Sequence, residues 1–286
     1  MTAGATATDT DGRLPEAAAA FRSPLRYPGG KQKAIASIAA MLPAEAVEYR
    51  EPMVGGGSVF FHARKCNFAS KYWINDQFAD LIAFWRTVQN GETAGKLVSD
   101  LERLRARFSG PEEIKRYFLA ARLEEPEDEY RRALLFFFFN RVTFSGTTRA
   151  GGFSASASML RFTASSIKRL AAMEQALKDV SITSRDFEEV ITAPGDGVFL
   201  FLDPPYFTAS RLYGRKGSLH DFDHERLAEL LKGSAHKFLM TYDDCEEVRR
   251  LYGWAHISEW RLQYGMNNCN SDNLSKIGCE LFIKNY

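Results

Sequence analysis

The sequence has 286 residues, 45% of them hydrophobic, with 37 lysines and arginines against 36 aspartates and glutamates. That is enough apolar material for a sizeable core, and a formal charge of +1 excludes wholesale disorder and a generally basic nucleic-acid coat. The longest apolar runs, 133–139 and 198–202, fall far short of the roughly 20 residues that cross a bilayer.

Residues 1–22 are rich in Ala, Thr and Asp and read as a disordered leader, because the alanine patch at 17–20 has neither a basic flank nor the length of a signal segment. Cys66, Cys245, Cys269 and Cys279 form no CxxC pair, which disfavours a zinc site and a disulfide framework and fits reduced thiols in a cytoplasmic protein. From Ser23 onward, strand-like runs at 47–50, 71–75, 180–184, 198–202, 237–241, 257–263 and 279–283 alternate with helical patterns. That rhythm predicts an α/β sheet with helices on both faces. Residues 86–173 break it. Helices are expected at 97–108, 111–123 and 128–139, followed by a segment of Ser, Thr, Gly and Ala without strand alternation. This stretch is expected to be a helical insert between the two parts of the sheet domain, 23–85 and 174–286.

The charge is uneven. Arg131, Arg132, Arg141, Arg149, Arg161, Lys168 and Arg169 lie in a stretch, 131–173, that holds no Asp or Glu. Such segregation is either a solvated basic face or the footprint of a phosphate-backbone contact. Small residues between Ser145 and Ser154 would let backbone N–H groups approach phosphates.

Four motifs carry chemistry: Tyr27-Pro-Gly-Gly-Lys31, Glu51-Pro-Met-Val-Gly-Gly-Gly-Ser58, Asn75-Asp76 and Phe201-Leu-Asp-Pro-Pro-Tyr206. Gly55–Gly57 follow a predicted strand and precede an apolar helix, the first βα turn of a doubly wound sheet, where glycines let backbone approach a ligand. Their spacing matches neither the dinucleotide nor the triphosphate loop. Asp76 ends the next predicted strand, where an acid can take both hydroxyls of a ribose. Asp203 follows a buried strand that delivers its carboxylate to the carboxyl edge of the sheet, and Pro204 and Pro205 stiffen the loop beyond it. An exocyclic purine amine is a poor nucleophile because its lone pair is delocalised. A carboxylate accepting one N–H, with the Pro204 carbonyl accepting the other, pulls that nitrogen toward tetrahedral geometry, and Tyr206 is placed to stack on a base taken out of the duplex.

With these residues in place, the chain resembles the Dam-like family of DNA adenine methyltransferases from about Ser23 to Tyr286. Tyr27–Lys31 resembles the family's N-terminal motif, Glu51–Ser58 its Gly-rich cofactor loop, and Asp203–Tyr206 its catalytic motif. The element Phe139-Asn-Arg-Val-Thr-Phe-Ser-Gly146 is similar to the opening of its target-recognition region, and Glu280–Tyr286 to its closing strand. The resemblance implies a Rossmann-like methyltransferase sheet, S-adenosyl-L-methionine as cofactor, no metal, and methylation of the adenine 6-amino group in double-stranded DNA with base flipping. It assigns the cofactor to Tyr27, Lys31, Glu51, Gly55, Gly57, Asp76 and Asp203, with Asp186-Phe187 as the pair that holds its adenine. Asn140, Arg141 and Phe144 of the recognition element, with Arg149 of the acid-free stretch beside it, are the expected DNA contacts. A cognate restriction endonuclease is a partner that such enzymes can have. Ser145 stands where the family commonly has Asn, and 151–163 lacks the Asn-x-Pro-x-Gly pattern of the GATC-specific members, so the target sequence is not implied.

Weaker signals remain. His220 and His224, with acids between them, have metal-ligand spacing, while Asp223 reads more simply as a helix N-cap. Phe136–Phe139 are expected in the core. Phe144 is either core or a wedge between base pairs. Arg211, Arg215 and Lys216 are either a solvated loop or phosphate contacts, and Arg211 is taken as a DNA contact. Two rivals stand beside the adenine methyltransferase reading: a methyltransferase acting on an RNA or protein amine, and a DNA-binding module without catalysis.

Overall fold

The computed structural model of the chain describes residues 21–207, 222–263 and 277–286. Seven strands are present: β1 (Glu48–Glu51), β2 (Lys71–Asn75), β3 (Val180–Thr183), β4 (Val198–Leu202), β5 (Lys237–Asp243), β6 (His256–Gln263) and β7 (Ile277–Lys284). Each lies where the apolar pattern predicts it, with small shifts at the ends. The sheet order is β3-β2-β1-β4-β5-β7-β6. β1 pairs in parallel with β2 and β4, and β4 with β5, whereas β7 runs antiparallel between β5 and β6. This is a mixed α/β methyltransferase-type sheet ending in an antiparallel hairpin.

By contacts the described residues form two compact units. The first holds residues 21–31, Gly55–Asn67 and Phe78–Ser184, and the second Gln32–Val54, Phe68–Gln77 and Arg185–Tyr286.

In the second unit β4, Val-Phe-Leu-Phe-Leu, is buried along its whole length, as a central parallel strand covered on both faces must be. Val198, Leu200 and Leu202 pack with Phe238, Met240 and Tyr242 of β5 against Ile191, Leu227, Leu231 and Val248 of the flanking helices. Phe199 points the other way, into an aromatic group with Phe68 at 5.4 Å and with Tyr49 and Tyr286 at 6.2 Å each. Buried Arg50 closes the rim of β1. Its Nε donates to Glu48 at 2.7 Å and its Nη atoms to the carbonyls of Val190, Ala193 and Pro194 at 2.6–3.0 Å.

The first unit is helical: Ala79–Gln89, Gly91–Ala106, Pro111–Ala121 and Glu129–Val142 are its longest helices. The second begins six residues before its expected start because Asn90 caps it, accepting the N–H groups of Glu92 and Thr93. The last, expected to end at Phe139, runs on to Val142, so Asn140 and Arg141 are helical residues. Phe136–Phe139 are all buried, as four successive aromatics around a helix require. Phe84 stacks on Phe137 at 5.8 Å, Phe118 meets Phe139 at 5.6 Å, and Phe162 meets Phe138 at 5.5 Å. The small-residue segment that follows holds three short α-helices, Ala155–Arg161, Ala164–Lys168 and Met173–Leu177, beside three 3-10 turns, and two of the α-helices are capped by Ser154 and Thr163.

Candidate active site and nucleic-acid interface

Because β1, β2, β4 and β5 are parallel, their carboxyl ends share one edge of the sheet, where open α/β folds place ligands. There the sequence puts Glu51, Asn75-Asp76, Asp203 and Asp243. Asp203 leaves the buried strand β4 half-exposed, and its Oδ1 accepts a hydrogen bond of 2.8 Å from the fully buried hydroxyl of Thr241. Asp243 fixes the far end of the same loop, accepting the N–H of Phe207 at 2.9 Å. Between these anchors Pro204 is buried, Pro205 half-buried, and Tyr206 lies over Tyr242 with centroids 6.2 Å apart and planes 27° apart. The Asp-Pro-Pro-Tyr loop is thus tied to β5 at both ends. Beneath it, His224 Nδ1 pairs with the Tyr242 hydroxyl, and its ring meets Phe207 at 4.9 Å and Phe222 at 5.0 Å. Burial holds His224 below the ordinary histidine pKa, against the opposing pull of Asp243 and Asp223. Sequence reading missed Thr241 and Asp243. The available signal was a polar residue at the carboxyl end of an otherwise apolar strand.

Glu51 is 3% exposed and accepts the Tyr49 hydroxyl at 2.6 Å. Burial and then the Glu51 charge push the Tyr49 pKa up. Asn75 is fully buried. Its amide nitrogen donates to the carbonyls of Pro52 and Arg185, and its oxygen accepts the Arg185 N–H, each at 2.9 Å. These bonds clamp the turn after β1 to the segment before Asp186 and leave Asp76 half-buried at the edge. Asp186 caps the helix Phe187–Thr192 through the Glu188 N–H and also accepts bonds from Gln77 and, at 2.6 Å, from Arg226. Phe187 is 6% exposed, with Arg226 over its ring at 4.9 Å and Phe222 at 5.3 Å. Both residues of this pair therefore carry structural bonds already, and an adenine there would compete with Arg226.

In the first unit, Tyr27 packs directly on the glycine turn. A Cβ at Gly55 would lie 2.8 Å from its ring, and one at Gly56 2.7 Å from its own Cβ. Gly55 and Gly57 have φ of +46° and +68°, left-handed values that favour glycine. Trp85 Nε1 donates to the Gly55 carbonyl at 3.3 Å. Lys31, 5% exposed, turns its Nζ back to the Gly29 carbonyl at 3.2 Å. Tyr27 and the glycine turn are thus one packed assembly.

Four expected DNA residues fall into different classes. Asn140 is fully buried: its amide donates to the carbonyls of Arg26 and Gly146 and accepts the Arg26 N–H. These bonds hold the loop that follows to the segment at Arg26. Arg149 is largely committed too, donating to the carbonyls of Arg122 and Glu124 beyond the helix Pro111–Ala121 and lying over Phe139 at 5.6 Å. Phe144 is 60% exposed, which removes the core reading. It opens a loop closed by the Thr143–Phe153 bridge, in which Ser145 and Thr148 adopt φ of +53° and +54°. Left-handed backbone is costly for such residues and cheaper for Asn, the residue common in the family where Ser145 stands. Arg141 is buried at 4% exposure. Arg211, Arg215, Lys216 and His220 lie outside the described residues. Asp223 is the expected N-cap, accepting the Arg226 N–H at 2.9 Å. Among the described residues no helix is long and apolar enough to cross a membrane, and no three His, Cys, Asp or Glu side chains cluster as metal ligands.

Comparison with known proteins gives these features a family. The chain is 33% identical over 271 residues to a DNA N-6-adenine-methyltransferase of Escherichia phage P1, covering 90% of this chain and 34% of the phage protein's length. It is 27% identical to the type II methyltransferase M.CviBI of Paramecium bursaria Chlorella virus NC1A and 29% identical to M.MjaIII of Methanocaldococcus jannaschii. In both cases 92% of this chain and 98% of the relative are covered. The profile of the D12 class of N6 adenine-specific DNA methyltransferases matches residues 27–266. The chain, with its Asp-Pro-Pro-Tyr loop pinned at the carboxyl edge of a parallel sheet, belongs to that class.

Proposed function

We propose that this protein is a site-specific methyltransferase that modifies the 6-amino group of an adenine flipped out of duplex DNA, with Asp203 as the residue that prepares the amine. The class uses S-adenosyl-L-methionine, which supplies a methyl group activated by a positively charged sulfur. The carboxylates at the edge of the second unit, Glu51, Asp76 and Asp203, suit a cationic ligand that carries a ribose, with Asp76 taking the two hydroxyls. Tyr27, Lys31, Gly55 and Gly57 are assigned to the same cofactor on the family resemblance.

Asp203 accepts one N–H of the amine and the Pro204 carbonyl the other. The nitrogen lone pair is then drawn out of the ring, and the ring is held by stacking on Tyr206. The amine proton released on transfer leaves to solvent. The observation that carries this reading is the Thr241 hydroxyl on Asp203 Oδ1. It helps to fix the carboxylate's rotation, whereas a surface turn after a core strand has no need of such a bond. Relatives named as type II methyltransferases support a paired restriction endonuclease, and the chemistry supports action in the cytoplasm.

Incubation with tritiated S-adenosylmethionine and, separately, duplex DNA, RNA and bulk protein tests the proposal. Label in duplex DNA, recovered as N6-methyladenine, is expected. Label in RNA or protein alone would replace it with the rival substrate class, and cofactor that binds without transfer would favour a DNA-binding module.

A further inference from the structure

β5 holds the Asp-Pro-Pro-Tyr loop from both of its faces. Side chains alternate along a strand, so Thr241 and Asp243 point to one side and Tyr242, with Phe238 and Met240, to the other. The first side carries hydrogen bonds, from the Thr241 hydroxyl to Asp203 and from the Phe207 N–H to Asp243. The other side carries rings. Tyr206, the residue expected to stack on the extruded base, lies over fully buried Tyr242 with centroids 6.2 Å apart and planes 27° apart.

Tyr242 is in turn held by a histidine. His224 opens the helix His224–Gly233, which Asp223 caps. Its Nδ1 pairs with the Tyr242 hydroxyl, and its half-buried ring meets Tyr242 at 5.9 Å, Phe207 at 4.9 Å and Phe222 at 5.0 Å. Burial, then Tyr252 and Asp243, push the Tyr242 pKa up, so its hydroxyl keeps its proton. Burial holds His224 below the ordinary histidine value, against the charges of Asp243 on β5 and Asp223 on its own helix. At neutral pH the imidazole is uncharged, and Nδ1 accepts the Tyr242 O–H. Phenylalanine in place of His224 would fill the same space among these rings but give the buried hydroxyl no acceptor. The polar ring is matched to the hydroxyl, and the hydroxyl belongs to the ring on which Tyr206 rests.

We propose that His224 is a positioning residue for methyl transfer: through the Tyr242 hydroxyl and through its contact with Phe207, it holds Tyr206 in the plane on which the extruded adenine stacks. The inference rests on the reading of Asp203–Tyr206 as the motif that acts on the amine, and deepens it. His224 works through Tyr242 and Phe207 and not on the base itself. Misplacing a reacting group by about 1 Å can cost about a hundredfold in rate, so a loosened stacking ring shows in kcat. Thr241 then orients the carboxylate and His224 the stacking ring, each from its own face of β5.

The test uses the full-length protein, tritiated S-adenosylmethionine and unmethylated genomic DNA, with the variants H224F, H224N, Y242F and the double variant H224F/Y242F. H236N is the control, because His236 lies next to the amino end of β5, where its Nε2 meets the Ala193 carbonyl at 3.0 Å. H224F keeps a ring and loses the acceptor, and is expected to lower kcat about tenfold with KM for S-adenosylmethionine unaltered. H224N returns an acceptor near the position of Nδ1 and should recover kcat to within about threefold of the wild type. Y242F removes the hydroxyl, so it and H224F delete one shared interaction, and the double variant should be no slower than the slower single one. H236N should change Tm at most. Wild-type kcat in H224F, with or without a lower Tm, would make His224 a packing residue and overturn the proposal, as would losses that simply add in the double variant. Should H224F fail to fold, Y242F decides: a kcat about tenfold lower sustains the proposal, and an unchanged one overturns it. A wild type that transfers no label to DNA would overturn the methyltransferase reading and this role with it, whereas an active wild type beside an unimpaired H224F overturns the role alone.

Discussion

Two buried arginines, one in each unit, show how differently the two halves of this protein are built. Arg50, 1% exposed in the sheet unit, spends its donors on Glu48 and three backbone carbonyls and staples β1 to the segment after the helix Phe187–Thr192. Arg141, 4% exposed in the helical unit, makes no such bond and faces like charges. The sheet unit spends the donors of Arg50 on its own backbone and on Glu48, and it holds Asp203 through the Thr241 hydroxyl, as catalysis by positioning requires. In the helical unit the Nε and Nη2 of Arg141 stay buried without a hydrogen-bond partner. The expectation is that Asp203 in the sheet unit carries the chemistry and the arginines of the helical unit the affinity for DNA.

Substitutions sharpen this contrast. R50M should be the most damaging to the fold, lowering stability by about 3–5 kcal/mol because Glu48 loses its partner inside the rim; denaturant unfolding gives the value. D203A should cost roughly 10²–10³-fold or more in kcat, as the removal of a group that stabilises developing charge does. DNA affinity should stay unchanged, and single-turnover assays beside anisotropy titrations check both halves of the statement. D76A should weaken S-adenosylmethionine binding by about 1.5–3 kcal/mol, the loss of a charged hydrogen bond; calorimetry showing equal affinity would place the ribose acid elsewhere. T241V removes the hydroxyl that orients Asp203 and should lower kcat by about 1 kcal/mol in barrier terms, about fivefold, with KM for the cofactor unaltered. Recovery in T241S would separate orientation from packing. Last, S145N places a residue more tolerant of left-handed backbone in the loop and should raise stability by up to about 1 kcal/mol, measurable as a small rise in Tm.

The sheet was legible because its signals are local. An apolar run such as Val198–Leu202 has to be a buried strand, and the aspartate that follows it has to emerge at the carboxyl edge. Asp223 as a helix cap and Phe136–Phe139 as core were legible for the same reason, since capping and burial act within a turn or two. Thr241 and Asp243 were not, because their importance lies in pairing with β4, some forty positions away in the chain, and only the register of β4 with β5 reveals it. Asn140 and Arg149 have a structural part that the sequence does not show. Both brace backbone, and a side chain's bonding to carbonyls of Arg26 or Glu124 leaves no trace in the residue pattern. The start of the helix at Gly91 was recoverable in principle, since Asn90 is a strong cap, but the apolar periodicity that draws the eye begins only at Leu97.

The division of labour is tested most directly by one titration series. Single-turnover methylation is measured across DNA concentration for the wild type, D203A and R141M, so that the saturating rate and the apparent Kd come from the same curves. The account predicts that D203A loses the saturating rate and keeps the Kd of the wild type, while R141M keeps the rate and loses about tenfold in Kd. Rate and Kd falling together in either variant would contradict the expected separation of chemistry in the sheet unit from DNA affinity in the helical one.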